Sequence, residues 1–156
     1  MPQTHCGFID DLASGVSGAA LLVSYGPTIQ VDIGFDPNFK PNPKAPVPAP
    51  MAGIQGQHAL VDSGASECCI DSLLAAELKL PIVDRRPVSG VHGKEEVNIH
   101  LAQIHVPSLG HIMYGRFAGV HLAAGGQVHK AILGRTFLRH FKMAYDGTTG
   151  QVLISA

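Results

Sequence analysis

The sequence is poor in charge, in cysteine and in unbroken apolar runs, and each shortage removes a class of protein. Only 15% of its 156 residues are charged, and the formal net charge is −1 with histidine counted as neutral. So even a balance gives no electrostatic footprint for nucleic acid or for an anionic membrane surface. The three cysteines, at positions 6, 68 and 69, are odd in number and two are adjacent. They make no disulfide framework and fit free thiols in a reducing compartment. The stretch from Leu12 to Tyr25 is broken by glycines and serines and follows Asp10 and Asp11 rather than a basic segment. It reads neither as a membrane span nor as a secretory signal. The expected address is cytoplasmic.

What is present points to a globular chain of strands and turns. Hydrophobic residues make up 46%, and there are 18 glycines and 11 prolines, a composition that suits short strands better than a helical bundle. The length fits one domain with a sizeable core. Nine histidines raise the question of a metal. His100 and His105, five apart in a strand-like segment, point to opposite faces, and no Cys or carboxylate stands beside them at zinc-ligand spacing. The histidines therefore read as scattered over the surface, with no metal and no cofactor implied.

Along the chain, residues 1–26 read as an N-terminal arm, mixed and without clear period up to residue 18, a poorly ordered segment or an oligomer contact, with Ala19 to Ser24 a candidate strand. A domain spanning 27–156 follows. From Thr28 to Phe35 apolar residues fall on alternate positions, the mark of a strand with one buried face. Six prolines between Asp36 and Met51 exclude helix interior and central strand, so 36–52 is a semi-rigid surface insertion.

Gln57 to Val61 forms a second strand. Asp71 reads as the N-cap of a short helix from Ser72 to Leu78. A hairpin turns at Gly90-Val91-His92-Gly93, followed by alternation through Val97, Ile99 and Leu101 that changes phase at Ile104 and Val106, suggesting a bulge at Ala102-Gln103. Strands then follow at 111–122 and 130–133, a brief helix at 136–141, and a terminal hairpin at 142–145 and 151–155.

The stretch that stands out is Ala59-Leu60-Val61-Asp62-Ser63-Gly64-Ala65. An apolar run drives a carboxylate to the end of a buried strand, where an ionised group costs several kcal/mol unless donors or a partner charge surround it. Asp71 has a structural explanation in its helix cap, whereas Asp62 has none.

Three features stand in order: the strand into Asp62-Ser63-Gly64-Ala65, the glycine-rich hairpin tip, and Ala131-Ile132-Leu133-Gly134-Arg135. Together they resemble the retropepsin-like aspartic proteases. The resemblance implies a mainly β fold, a closed, orthogonal barrel of the acid protease type with two short helices. It also implies an aspartic endopeptidase acting on an extended peptide or protein substrate.

Because the chain holds one Asp-Ser-Gly, the catalytic pair would have to come from a homodimer, Asp62 facing its own copy across a two-fold axis. The resemblance gives Ser63 a hydrogen bond across that interface and Gly64 a backbone N–H toward Asp62. It assigns Ala65, Gly90, Val91, His92, Gly93, Ile132 and Leu133 to substrate binding, the four hairpin residues as a flap. In retroviral members the counterpart of Arg135 pairs with an acid four residues after the aspartate. Ser66 stands there in this chain, with Glu67 beside it. The competing reading is a catalytically inactive retropepsin-like module for dimerisation or peptide binding.

Overall fold

The computed structural model describes residues 1–50, 52–90 and 93–156. Among these residues ten strands and three short α-helices follow in order as β1 (Gln3–His5), α1 (Gly18–Tyr25), β2 (Thr28–Gly34), β3 (Gly53–Val61), β4 (Cys69–Asp71), α2 (Ser72–Glu77), β5 (Ile82–Gly90), β6 (Gly93–Val106), β7 (His111–Val120), β8 (Ala131–Leu133), α3 (Arg135–Leu138), β9 (Lys142–Asp146) and β10 (Gln151–Ser155), with a 3₁₀ turn at Pro107–Leu109. Seven strands run in the order β2-β3-β8-β4-β7-β6-β5, and β2 also pairs with β6. That extra pairing closes six strands into a barrel and leaves β5 outside it as the second arm of a hairpin with β6. The expected closed, mainly β architecture is what the sheet forms.

The barrel closes because its strands supply apolar residues to one interior. Val31, Ile33, Ile70, Ala102, Ile104, Leu133 and Phe137 are all fully buried. β3 pairs parallel with β8, placing Leu60 beside Ile132 and Val61 beside Leu133, while β4 pairs antiparallel with β8 and parallel with β7. Two chain segments far apart in sequence are thereby locked side by side at the end of β3, where Asp62 emerges.

Four expectations need correction. Ala19 to Ser24 is helix, not strand: the Ser17 hydroxyl caps it by accepting the Ala20 N–H, and Gly26 at φ 70° ends it. Here the helix-forming Ala-Ala-Leu-Leu core outweighs the single β-branched Val23. The first 18 residues are not a loose arm, since β1 pairs with β10 and Cys6 is buried.

The phase change in β6 is not a bulge, because its register with β7 runs unbroken from Ile99 opposite Ala118 to Val106 opposite His111. Gln103 is buried because the proline-rich segment covers that face. Its side chain accepts the Asp36 N–H at 2.9 Å and donates to the Pro48 carbonyl at 2.9 Å. Register shifts fall elsewhere, in the β2–β3 pairing between Val31 and Ile33 and in the β5–β6 pairing between Ile82 and Asp84. Finally, His100 and His129 are core residues, held by the Leu80 carbonyl and the Thr28 hydroxyl respectively.

The proline-rich segment occupies the β2–β3 connection and is fixed at both ends. Phe39 packs edge-on against Tyr114 with ring centroids 4.8 Å apart. A Cβ on Gly34 would lie 1.8 Å from the Ala52 carbonyl oxygen, so only glycine lets the two ends of the insertion close on each other.

Candidate active site

Asp62 begins where β3 stops pairing. Its N–H donates to the Leu133 carbonyl at 2.9 Å and its carbonyl accepts the Ala65 N–H at 3.2 Å, a tight turn that brings Ser63 and Gly64 to the surface. The Gly64 N–H donates to Asp62 Oδ1 at 2.8 Å. A Cβ on Gly64 would stand 3.0 Å from that oxygen, so glycine lets the loop turn back onto the acid. Oδ2 has no hydrogen bond, and no cation pairs with the carboxylate, among the described residues.

The loop is held from beneath by the residues after β8. The Arg135 N–H donates to the Ala65 carbonyl at 2.8 Å and the Thr136 N–H to the Ser66 carbonyl at 3.1 Å. The Arg135 guanidinium donates to the Ser63 carbonyl at 2.8 Å. Arg135 thus grips the backbone of the Asp-Ser-Gly turn and makes no ion pair with Glu67 among the described residues. A Cβ on Gly134 would lie 2.5 Å from the Glu67 carbonyl oxygen and 2.7 Å from that of Ala65. Here glycine is required for close approach, its φ of −87° being ordinary.

Of the residues expected to line a cleft, Ala65 and Ile132 are half-buried beside the turn, whereas Leu133 is wholly buried. The side chain of Leu133 packs the core, and its carbonyl anchors Asp62. Gly90 and Gly93 pair across the β5–β6 hairpin. Val91 and His92, the tip between them, lie outside the described residues.

Cys69 is a neighbour that sequence reasoning did not place there. It pairs with Ile132, which pairs with Leu60, so the three half-buried side chains form a row on the face to which Asp62, two residues past Leu60, also belongs. Burial first, then Cys68 and the Asp62 charge, push the Cys69 thiol up to about 12. The row beside the carboxylate is therefore neutral. The pairing of two distant strands creates this neighbour, and no local pattern announces it.

A family model described as "gag-polyprotein putative aspartyl protease" matches residues 50–140, more than half of the chain and every part of the site just described. The chain belongs to this family. As a retropepsin-like aspartic protease by family, it is similar to three solved structures. The simian foamy virus (mac) protease is 12% identical with a TM-score of 0.43, over 72% of this chain and 91% of that one. The EIAV protease complexed with the inhibitor HBY-793 is 19% identical with a TM-score of 0.46, over 73% and 86%. A retropepsin-like aspartic protease from Rickettsia conorii is 14% identical with a TM-score of 0.47, over 97% and 90%. No curated protein matches the sequence significantly. In this retropepsin-like chain no helix among the described residues is long and apolar enough to cross a membrane.

Proposed function

We propose that this retropepsin-like chain is a peptidase that works as a homodimer, with Asp62 of each protomer forming one catalytic pair across a two-fold axis. The observation that carries the reading is the half-satisfied Asp62 carboxylate. One oxygen is oriented by the Gly64 N–H and the other has no hydrogen bond among the described residues, on a turn whose backbone is clamped by Gly134, Arg135 and Thr136. A structural aspartate at a strand end would have its donors in its own chain.

Amide hydrolysis by water needs one group to take a proton and another to give one. Two carboxylates about 3 Å apart cannot both ionise, so the pair shares a proton and titrates as a unit, its two apparent values pushed apart. The ionised carboxylate takes a proton from water as the oxygen bonds to the scissile carbon, and the protonated one gives its proton to the carbonyl oxygen. Collapse of the tetrahedral species breaks the C–N bond as a proton passes to the leaving nitrogen.

Ser63, exposed beside the acid, would meet its copy in such a dimer. Gly64 and the Arg135 clamp hold the turn in one geometry, which efficient proton transfer requires. An extended peptide would lie over the Leu60, Ile132 and Cys69 row and under the hairpin of Gly90 to Gly93, held by strand-like backbone hydrogen bonds. The hairpin would close over it and exclude water. The neutral row favours apolar side chains.

The test is incubation with an unstructured protein across pH 3–7, beside Asp62→Asn and with sedimentation of both proteins. Cleavage that Asp62→Asn removes, by a protein that dimerises, is the expected result. Cleavage that survives the substitution, or a protein monomeric at every concentration, contradicts the assignment.

A further inference from the structure

We infer that the apolar surface of residues 12–25, with Ile9 beside it, is the face on which a second copy of this chain seats itself. From Leu12 to Val31, twenty consecutive residues carry no charged side chain and no histidine. Within and just before that run Ile9, Leu12, Val16, Val23 and Tyr25 are 82%, 94%, 37%, 85% and 44% exposed. A helix apolar all round belongs in an interior, yet α1, Gly-Ala-Ala-Leu-Leu-Val-Ser-Tyr, buries only Gly18 and Leu22. Depletion of charge with a tyrosine at the margin is the composition of an interface centre.

The segment is built rather than loose. The Gly18 N–H donates to Asp10 Oδ1 at 2.8 Å. Asp11 receives the Ala13 N–H and the Ser14 hydroxyl, and a bridge joins it to Val16. The Phe8 and Tyr25 rings lie 5.9 Å apart; a Cβ on Gly18 would stand 2.4 Å from the Phe8 carbonyl oxygen, and one on Gly150 would stand 2.3 Å from that of Gly18. Its apolar side chains are thus held outward on an ordered backbone.

Position identifies the occupant. The C-terminal end of α1 runs through Gly26 and Pro27, and the Pro27 carbonyl accepts the Val61 N–H at 2.9 Å, one residue before Asp62. A Cβ on Gly26 would lie 2.7 Å from Leu60 Cδ1, so if Asp62 meets its copy on a two-fold axis, the end of α1 that carries Tyr25 stands beside the surface that the symmetric copy covers. The inference rests on the dyad reading and adds to it where the two chains touch.

Sedimentation equilibrium and cleavage of an unfolded protein test it, on the wild type, Val23→Glu, Leu12→Glu and a control, Leu73→Glu, whose side chain is 55% exposed on α2. All three positions are exposed in the single chain, and circular dichroism verifies folding. The expected result is a wild-type dimer whose dissociation constant rises about tenfold or more in Val23→Glu and in Leu12→Glu. Activity in these variants is lost at low concentration and recovered at high, with Leu73→Glu like the wild type. Dimerisation unchanged in both variants overturns this inference and leaves the dyad reading standing. A wild type that is monomeric throughout overturns both. Pelleting of the wild type with phosphatidylcholine–phosphatidylserine vesicles, abolished by Val23→Glu while the dimer persists, overturns it in favour of a lipid surface.

Discussion

Asp62 and Asp71 lie nine residues apart, each where a barrel strand ends, and the protein treats them in opposite ways. Asp71 is fully buried, and its carboxylate accepts the N–H groups of Leu74, Leu122 and Ala123 at 3.1, 3.2 and 2.9 Å. It caps α2 and ties the chain after β7 to that helix. Asp62 is half-buried and receives one N–H from its own turn. A buried carboxylate with three donors serves stability, and an open one with a single donor is available for chemistry. The number of donors, rather than the position at a strand end, separates the two roles.

Substitution at each aspartate should therefore fail in a different assay. Asp62→Asn is expected to lower cleavage of an unfolded protein by about 10²–10⁴-fold or more while leaving the urea midpoint near that of the wild type. Asp71→Ala leaves three backbone N–H groups without a partner and should cost about 3–5 kcal/mol of unfolding free energy. Its activity per folded molecule should be kept well below the transition. If Asp71→Ala kills activity without unfolding, or Asp62→Asn unfolds the protein, the contrast is wrong.

Gly134→Ala sharpens the comparison from the side of the clamp. The new Cβ would press on the Ala65 and Glu67 carbonyls, so it should cost about 1–3 kcal/mol and also lower kcat, because the carbonyls it displaces belong to the loop after Asp62. A variant equally stable and equally active would show that the clamp does not set the geometry of the turn.

The smallest expected effect is on pH dependence. His129 is held below the ordinary histidine value of 6.5 by burial and then by His58, and His111 by burial and then by His140. Each folded pKa lies below its unfolded value, so on acidification the unfolded chain takes up protons first. The contribution is complete above about 6.5 and declines as pH falls below it toward the folded pKa. The urea midpoint should thus drop between pH 7.5 and 5.5, and by less in His129→Gln. The acid range that suits a shared-proton pair is then also the range in which the fold weakens.

Much of this was legible in the sequence because it is local. Alternation revealed β2 and the later strands, the Asp71 cap follows from one residue and its successors, and the apolar run into Asp62-Ser63-Gly64 marks the acid. What escaped depends on pairings between distant segments. Cys69 reaches the Asp62 face only through β4–β8 and β8–β3 pairing. Gln103 is buried only because the proline-rich insertion folds back over β6. His100 and His129 look like surface residues until a carbonyl and a hydroxyl from other elements satisfy them. The helix at 18–25 was hidden by the glycines and serines in and around it, of which Ser17 and Gly26 prove to be its caps.

The central claim, that the catalytic pair is shared between two chains, is tested most directly by subunit mixing. Wild type and Asp62→Asn are combined at increasing proportions of the variant, allowed to exchange, and assayed at constant total protein. If each site needs Asp62 from both chains, activity falls as the square of the wild-type fraction, to about a quarter in an equal mixture. A linear fall, to about half, would mean that each chain cleaves alone and would contradict the account.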